Sequence, residues 1–466
     1  MSVLNWQWLI LIAINILLFW ISPWSNKAND FFRGSSNDKP PNAFLLTSSL
    51  VICWLFAKSI TNAADLGYQF GIVGGVAYSG YYFSFLVAGV IIYKMRTKGG
   101  YISIHHFLQT KYGQGAIVIF TVLIGFRLLN EIWSNTMIVG SYFGEKGSTG
   151  YFSALIVFTL LTLAYTLKGG MRTSIITDLI QMGMFVVLMV LILGIIIPDS
   201  APQSGVTQSA LKGGIKTLAT SGEWTMATGL NLFFVALIQV MSYPFHDPIL
   251  TDRGFISDPK TTLKSYIWAT VIGGSCIILF SSVGTFAALK GLKTPPTLEV
   301  AKLLGTFMLL MMNTIMLTSA AATIDSTFTS TAKLVHIDLL KERSLSVSKA
   351  RLTMIAIAVF GTIPILFNPE ILSATTISGT MVLGLAPVFV FWNVDAPKIS
   401  YYGSVISGIF FGFLLLFYPI PKQFLFTTGK YADLLTVNII GTIVCFLFFL
   451  IPVFLVKSEK RIVKND

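Results

Sequence analysis

Charge is what this sequence has least of. Asp, Glu, Lys and Arg make up 11% of its 466 residues, against about 25% in an ordinary soluble domain. So few charged residues cannot build a polar shell, and with 54% hydrophobic residues the class is a polytopic membrane protein. Cysteine is nearly absent. Cys53, Cys276 and Cys445 each lie inside an apolar run, which argues against a disulfide or metal set and for buried, inert thiols. The four histidines show no metal-ligand spacing. Long polar loops are missing too, so no soluble enzyme domain is attached, and no nucleophile–base constellation or cofactor motif points to an enzyme. A formal charge of +12 could suit nucleic acid, but the basic residues fall in alternate loops, the positive-inside signal of membrane proteins. The expected partner at this point is the lipid bilayer.

What the chain does have is apolar length. Taken in order, segments of about 20 residues, each enough to cross a bilayer, give about thirteen spans. Residues 1–42 read as an N-terminal anchor helix and a cytoplasmic loop, with the N-terminus outside and no signal-peptide cleavage site. Twenty-two of the 32 basic residues fall in proposed inside segments, and the bias agrees loop by loop. Asp199 to Glu223, rich in Ser, Gly and Thr, reads as an outside loop. Asp247 to Lys264, with Arg253, Lys260 and Lys264, reads as an inside one. Residues 399–456 give two C-terminal helices, and 457–466 a basic cytoplasmic tail.

One apolar segment breaks the pattern. Ala43 to Phe70 is long enough to span, yet Lys58, Ser59, Thr61, Asn62 and Asp65 sit in its middle. A charge at mid-membrane costs at least about 2.5–3.5 kcal/mol on insertion scales, so the segment faces protein or a water-filled cavity. Transporters break helices at such places, where freed carbonyls and helix ends bind ions and substrate. A second break is expected at Tyr243-Pro244, since proline removes a backbone donor and frees a carbonyl.

The stretch Tyr165 to Gln181, YTLKGGMRTSIITDLIQ, resembles a signature of the sodium:solute symporter family, Tyr-Thr, then Gly-Gly, then Thr-Asp-x-x-Gln. Gly100 to Gly113 is similar to the family's short helix after the second core span. Asp247 to Lys264 is similar to its basic loop, with Arg253 at the Gln-Arg position, and Leu317 to Lys341 to its eighth core helix. The resemblance runs from about residue 43 to residue 400. It implies an all-α leucine-transporter-like fold with a 5+5 inverted repeat, here 43–197 and 226–392.

Sodium is a hard cation and favours several oxygen ligands. Ser319, Thr323, Ser326, Thr327 and Ser330 recur at helical spacing; such hydroxyls also bond back to their own turn or join neighbouring helices. The resemblance places sodium between the carbonyls of Ile52 and Leu55, the Ser319 carbonyl and the Thr323 hydroxyl, and departs from the family pattern at Ala322, where members often have Ser. It also implies a candidate second cation site at Asp178, Asp325 and Ser326, with a proton site or a simple pairing of Asp178 with Arg172 or Lys333 as alternatives. The solute positions it carries over are Trp54, Lys58, Ser59, Tyr78, Tyr81, Val240 and Tyr243. Lys58 beside aromatic rings suits a small carboxylate or amino-acid-like solute, unless it is held by Glu131, Asp65 or Asp178. Arg127 and Glu131, at i and i+4, read as an internal ion pair. Together these imply a sodium-coupled symporter working as a monomer in a bacterial inner membrane, with the C-terminus cytoplasmic and sodium as the co-transported ion. A proton-coupled carrier of the same fold is the alternative.

Overall fold

Backbone in lipid must satisfy its own hydrogen bonds, so apolar length without charge dictates helices. A computed structural model of the chain describes residues 2–36, 39–201, 207–342, 344–367 and 378–462. In chain order its helices are α1 (Val3–Ile21), α2 (Ala28–Arg33), α3 (Ala43–Trp54), α4 (Ala57–Phe70), α5 (Ile72–Ser79), α6 (Phe83–Thr97), α7 (Ile104–Tyr112), α8 (Gln114–Ser141), α9 (Thr149–Gly169) and α10 (Met171–Asp199). They continue with α11 (Thr207–Ala219), α12 (Leu230–Gln239), α13 (Pro248–Arg253), α14 (Pro259–Leu289), α15 (Pro296–Leu303), α16 (Thr306–Lys333), α17 (Val347–Thr362), α18 (Leu385–Val390), α19 (Lys398–Phe417) and α20 (Ala432–Ile462).

Among the described residues ten helical segments are long and apolar enough to cross a membrane, and α3 with α4, bent by 59° at their junction, makes an eleventh. The other two expected spans take different forms. The one at 226–245 is the ten-residue α12 followed by a 3-10 turn at Tyr243–His246. The one at 372–392 begins outside the described residues, and its remainder includes α18. The expected outside loop at 199–223 holds a helix, α11. Its Gly213-Gly214 pair hides it from propensity, but Leu211, Ile215 and Leu218 keep helical spacing. Gly214 lets it lie on α10, since a Cβ there would stand 1.7 Å from the Ile197 carbonyl oxygen.

The first break is real and short. Asn42 caps α3, accepting from the Leu45 N–H, and the helix closes at Leu55, with Phe56 extended. No side chain of its own caps α4; instead Asn135 on α8 accepts from the Lys58 N–H at 3.2 Å. The orphan donors of a helix start are thus met across the bundle. The second break is longer than the sequence suggests. Helix α12 stops at Gln239 and α13 starts only at Pro248, with proline in its favoured first position and Asp247 capping both the Ile249 and Leu250 N–H groups.

Helix α16 is the shaft of the bundle. Every residue from Ile315 to Ala332 is buried, and it packs on α8, α9, α10 and α3. Helix α4 lies tightly along α14 through small residues, the usual device where no hydrophobic effect drives helices together. A Cβ at Gly284 would lie 1.7 Å from the Ala64 carbonyl oxygen, and one at Gly67 2.0 Å from that of Ser281. Gly284→Ala is therefore expected to force the two helices apart and to lower stability by about 1–3 kcal/mol, read as a fall in melting temperature. Gly183→Ala, where an added Cβ meets nothing within 4 Å, serves as the control and leaves the melting temperature unchanged or slightly raised.

Candidate ion and solute site

Two buried polar clusters flank the break between α3 and α4. The first ties both broken helices to α8. Lys58, on the first turn of α4, reaches Glu131 Oε1 at 2.8 Å and Asn130 Oδ1 at 2.8 Å. Arg127 also pairs with Glu131, one turn along the same helix, and its Nη2 lies 2.9 Å from Asp247 Oδ2. The same Asp247 oxygen accepts from Trp54 Nε1 at 3.1 Å, and Asn135 Nδ2 donates to Glu131 Oε2 at 3.0 Å. All four charged side chains are at most 3% exposed. Two cations and two anions make the cluster formally neutral.

Against this cluster lie the aromatic residues expected at the solute. Trp54 and Tyr243 have ring centroids 6.0 Å apart, Tyr81 and Tyr243 5.9 Å, and Tyr78 and Tyr81 5.8 Å. The Arg127 guanidinium stands 5.2 Å from the Tyr243 ring centroid, a cation–π distance. Ser59 and Tyr78 share a hydrogen bond of 3.2 Å, and Asn62 donates to the Tyr78 hydroxyl at 3.3 Å. Tyr81 donates to Gln239 Oε1 at 3.0 Å, and Gln239 Nε2 to Asn438 on α20 at 2.9 Å. Val240 follows Gln239 and is buried. The structure therefore gathers Trp54, Lys58, Ser59, Tyr78, Tyr81 and Tyr243 around the two breaks, with Lys58 engaged by Glu131.

The second cluster lies between α3, α10, α13 and α16. Thr323 Oγ1 is 3.3 Å from the Cys53 carbonyl and 3.1 Å from that of Ser319, so α16 meets the broken end of α3. The Trp54 carbonyl instead accepts the Tyr82 hydroxyl at 2.6 Å. Ile52 and Leu55, the expected carbonyl ligands, bracket this contact and are fully buried. Ser319 Oγ is buried with no hydrogen-bond partner among the described residues. Freed carbonyls, one bridging hydroxyl and one orphaned hydroxyl form an all-oxygen set, which fits a hard monovalent cation.

Asp178, Asp325 and Ser326 also come together. Asp325 accepts from Ser174 at 2.8 Å, Tyr165 at 2.9 Å, Thr177 at 3.1 Å and Ser326 at 3.2 Å. Asp178 Oδ2 accepts from Ser49 at 2.5 Å and pairs with Arg253 Nη2 at 3.1 Å. Among the described residues neither Arg172 nor Lys333 is the partner of Asp178. Arg172 pairs with Asp30, and Lys333 with Asp252 and Asp338. Arg253, expected in a cytoplasmic loop, is fully buried, because α13 turns it inward from the second break.

Arg253 and Asp247 are the functional candidates that sequence reasoning missed. Asp247-Pro248 is a readable helix-start signal, but its bond to Trp54 and Arg127 is not. Arg253 gives no local sign of burial.

With the geometry in view, comparison with known proteins is informative. Over 98% of its length the chain superposes on a sodium-coupled sialic acid symporter in a substrate-bound outward-open state, with a TM-score of 0.71, 16% identity and 98% of that chain covered. The chain has the fold of a sodium-coupled symporter. It also matches the transporter Mhp1 of the nucleobase-cation-symport-1 family in a closed conformation with bromovinylhydantoin bound, with a TM-score of 0.59 and 12% identity over 94% of this chain and 97% of that one. In sequence it is 22% identical over 258 residues to a probable urea active transporter of Schizosaccharomyces pombe, a match covering 52% of this chain and 37% of the relative. The chain thus spans well under half of that relative's length. No protein-family profile matches the chain.

The neutral four-charge cluster makes a quantitative prediction. Glu131→Gln leaves Lys58 and Arg127 as two buried cations against Asp247 alone, and breaking a buried pair typically costs about 3–5 kcal/mol. The variant should melt correspondingly lower. Lys58→Met added to it restores neutrality and should recover a large part of the loss. Equal losses in the single and double variants would mean that the pairing does not carry the stability.

Proposed function

We propose that this protein is a secondary active transporter that couples inward movement of sodium to symport of a small polar solute by alternating access, as a member of the sodium:solute symporter family. One observation carries the reading: the hydroxyl of Thr323 on the central helix reaches the freed carbonyl at the break of α3, with the orphaned Ser319 hydroxyl one turn away. Sodium would be held there by the carbonyls of Ile52, Leu55 and Ser319 and the hydroxyl of Thr323. Binding acts on transport only through different affinities for the outward and inward states. The inverted repeats would be 43–197 and 226–392, in a bacterial inner membrane, with the N-terminus outside and the chain working as a monomer.

For the solute, the pairing of Lys58 matters. Its ammonium is committed to Glu131 and Asn130, and the cluster around it is formally neutral. That favours a solute that presents hydrogen bonds without net charge, such as an amide, a urea or a zwitterion, over a simple carboxylate. The relationship to a probable urea transporter points the same way. Uptake of labelled urea, an amino acid and acetate into proteoliposomes under a sodium gradient would rank the three classes; acetate alone being taken up would reverse this preference.

The ion can be tested without knowing the solute. A specific ligand stabilises the folded protein by RT ln(1 + [L]/Kd), about 2.7 kcal/mol at a hundredfold excess over Kd. Melting the purified protein in sodium and in potassium at equal ionic strength should give a higher melting temperature in sodium, and Thr323→Ala should abolish the difference. Identical curves in the two salts, with uptake driven by a pH gradient instead, would support the proton-coupled alternative.

A further inference from the structure

The candidate second cation position is already filled by a positive charge belonging to the chain. Arg253 Nη2 stands 2.8 Å from Ser326 Oγ, 3.1 Å from Asp178 Oδ2, 3.4 Å from Ser174 Oγ and 3.4 Å from Cys53 Sγ. Its Nε donates to Ser49 at 2.6 Å and its Nη1 to the Ile249 carbonyl at 3.0 Å, so the planar fork is fixed along both edges. Asp178 Oδ2 and Ser326 Oγ, from two of the three residues expected to hold a cation, both face the guanidinium, while Asp178 Oδ1 is buried without a hydrogen-bond partner among the described residues. The cysteine sulfur in the same shell is a soft ligand, poorly matched to a hard ion. With a guanidinium held between Asp178 Oδ2 and Ser326 Oγ, the space between those two residues does not fit a second sodium.

We propose that Arg253 is a tethered cation that takes the place of a second sodium ion, so that this transporter binds a single sodium per cycle. The proposal rests on the sodium-symport reading above and deepens it. Charge counting supports it. The cluster holds two fully buried carboxylates, Asp178 and Asp325, and one fully buried arginine. With both carboxylates ionised, one negative charge remains uncompensated in a region where uncompensated charge is expensive. One sodium at the Thr323 position, on the same helix as Asp325, brings the sum to zero; two would leave it positive. The tether also sits on α13, part of the second broken helix, and bonds to α3 and α16 through Cys53 and Ser326. It thereby links the three elements that a diffusible ion would otherwise have to bridge.

Equilibrium binding of radioactive sodium to the purified full-length protein tests this directly. Wild type is expected to bind one sodium per chain, lost in Thr323→Ala. Arg253→Gln, which frees Asp178 and Ser326, is expected to bind a second, and Arg253→Lys, which keeps the charge, only one. Two sodium ions in wild type, or only one in an Arg253→Gln protein that retains its Thr323-dependent ion, overturns the proposal. No sodium in wild type defeats the symport reading itself and is distinct from both. If Arg253→Gln does not fold, the wild-type count still decides.

Discussion

The structure depends on Glu131 having two cations to hold. A helix broken in mid-membrane has lost hydrogen bonds that lipid cannot replace, and the break in the first core helix is further burdened with a lysine. Both liabilities are answered from α8. Asn135 caps the new helix start, and Glu131 takes the ammonium. Arg127, on the same helix, shares Glu131 and extends the chain of charge to Asp247, which is itself the cap of α13 at the second break. The two interruptions that define the fold are latched to one helix through four charges. Removing any one of the four leaves the buried cluster with a net charge. Movement of either break is thereby coupled to the other, which is what alternating access around a central site requires.

The hydroxyls of α16 divide into two kinds once their partners are seen. Thr318, Thr327 and Thr331 donate back to carbonyls one turn earlier in the same helix, the local bonding that Ser and Thr always have available. Thr323 bonds back to Ser319 as well, but it also reaches outward to the Cys53 carbonyl, and Ser326 accepts from Arg253. Periodicity alone put Thr323, Ser326 and Thr327 on one side of the helix together. Only the approach of α3 and α13 distinguishes a hydroxyl bonded within its own helix from one that meets a neighbouring element.

That distinction marks how much was legible in the sequence. The membrane class, the first break and the burial of Lys58, Arg127 and Glu131 follow from hydropathy and the cost of intramembrane charge, the second break from Pro244, and the fold from the family resemblance. Each rests on composition or on spacing within one segment. Partners across the bundle do not. Lys58 had three candidate carboxylates, and the sequence could not choose Glu131. Asp178 had two candidate cations, and its actual partner, Arg253, was read as a loop residue because positive-inside counting treats every basic residue near a loop as solvated. Helix α11 was missed for a different reason. Its Gly213-Gly214 pair lowers intrinsic propensity, yet Gly214 is what allows the contact with α10 that fixes the helix in place.

The two buried clusters are built from the same kinds of side chain but do not have the same sum. Around the aromatic rings, two cations meet two carboxylates. Beneath the break, one arginine meets two. In a low-dielectric interior such a difference decides what each place attracts, because every uncompensated charge there acts over a long range. The neutral cluster has no net pull on an ion, and on the proposed reading it would leave recognition to ring faces, hydroxyls and amides, among them Tyr78, Tyr81, Asn62 and Gln239. On the proposed reading, the cluster with an excess carboxylate would draw a cation toward the Thr323 hydroxyl at the break of α3. The difference in charge between the two clusters therefore comes from where Arg253 and Lys58 find their partners, and both partners are set by the way the second broken helix and α8 close on the first.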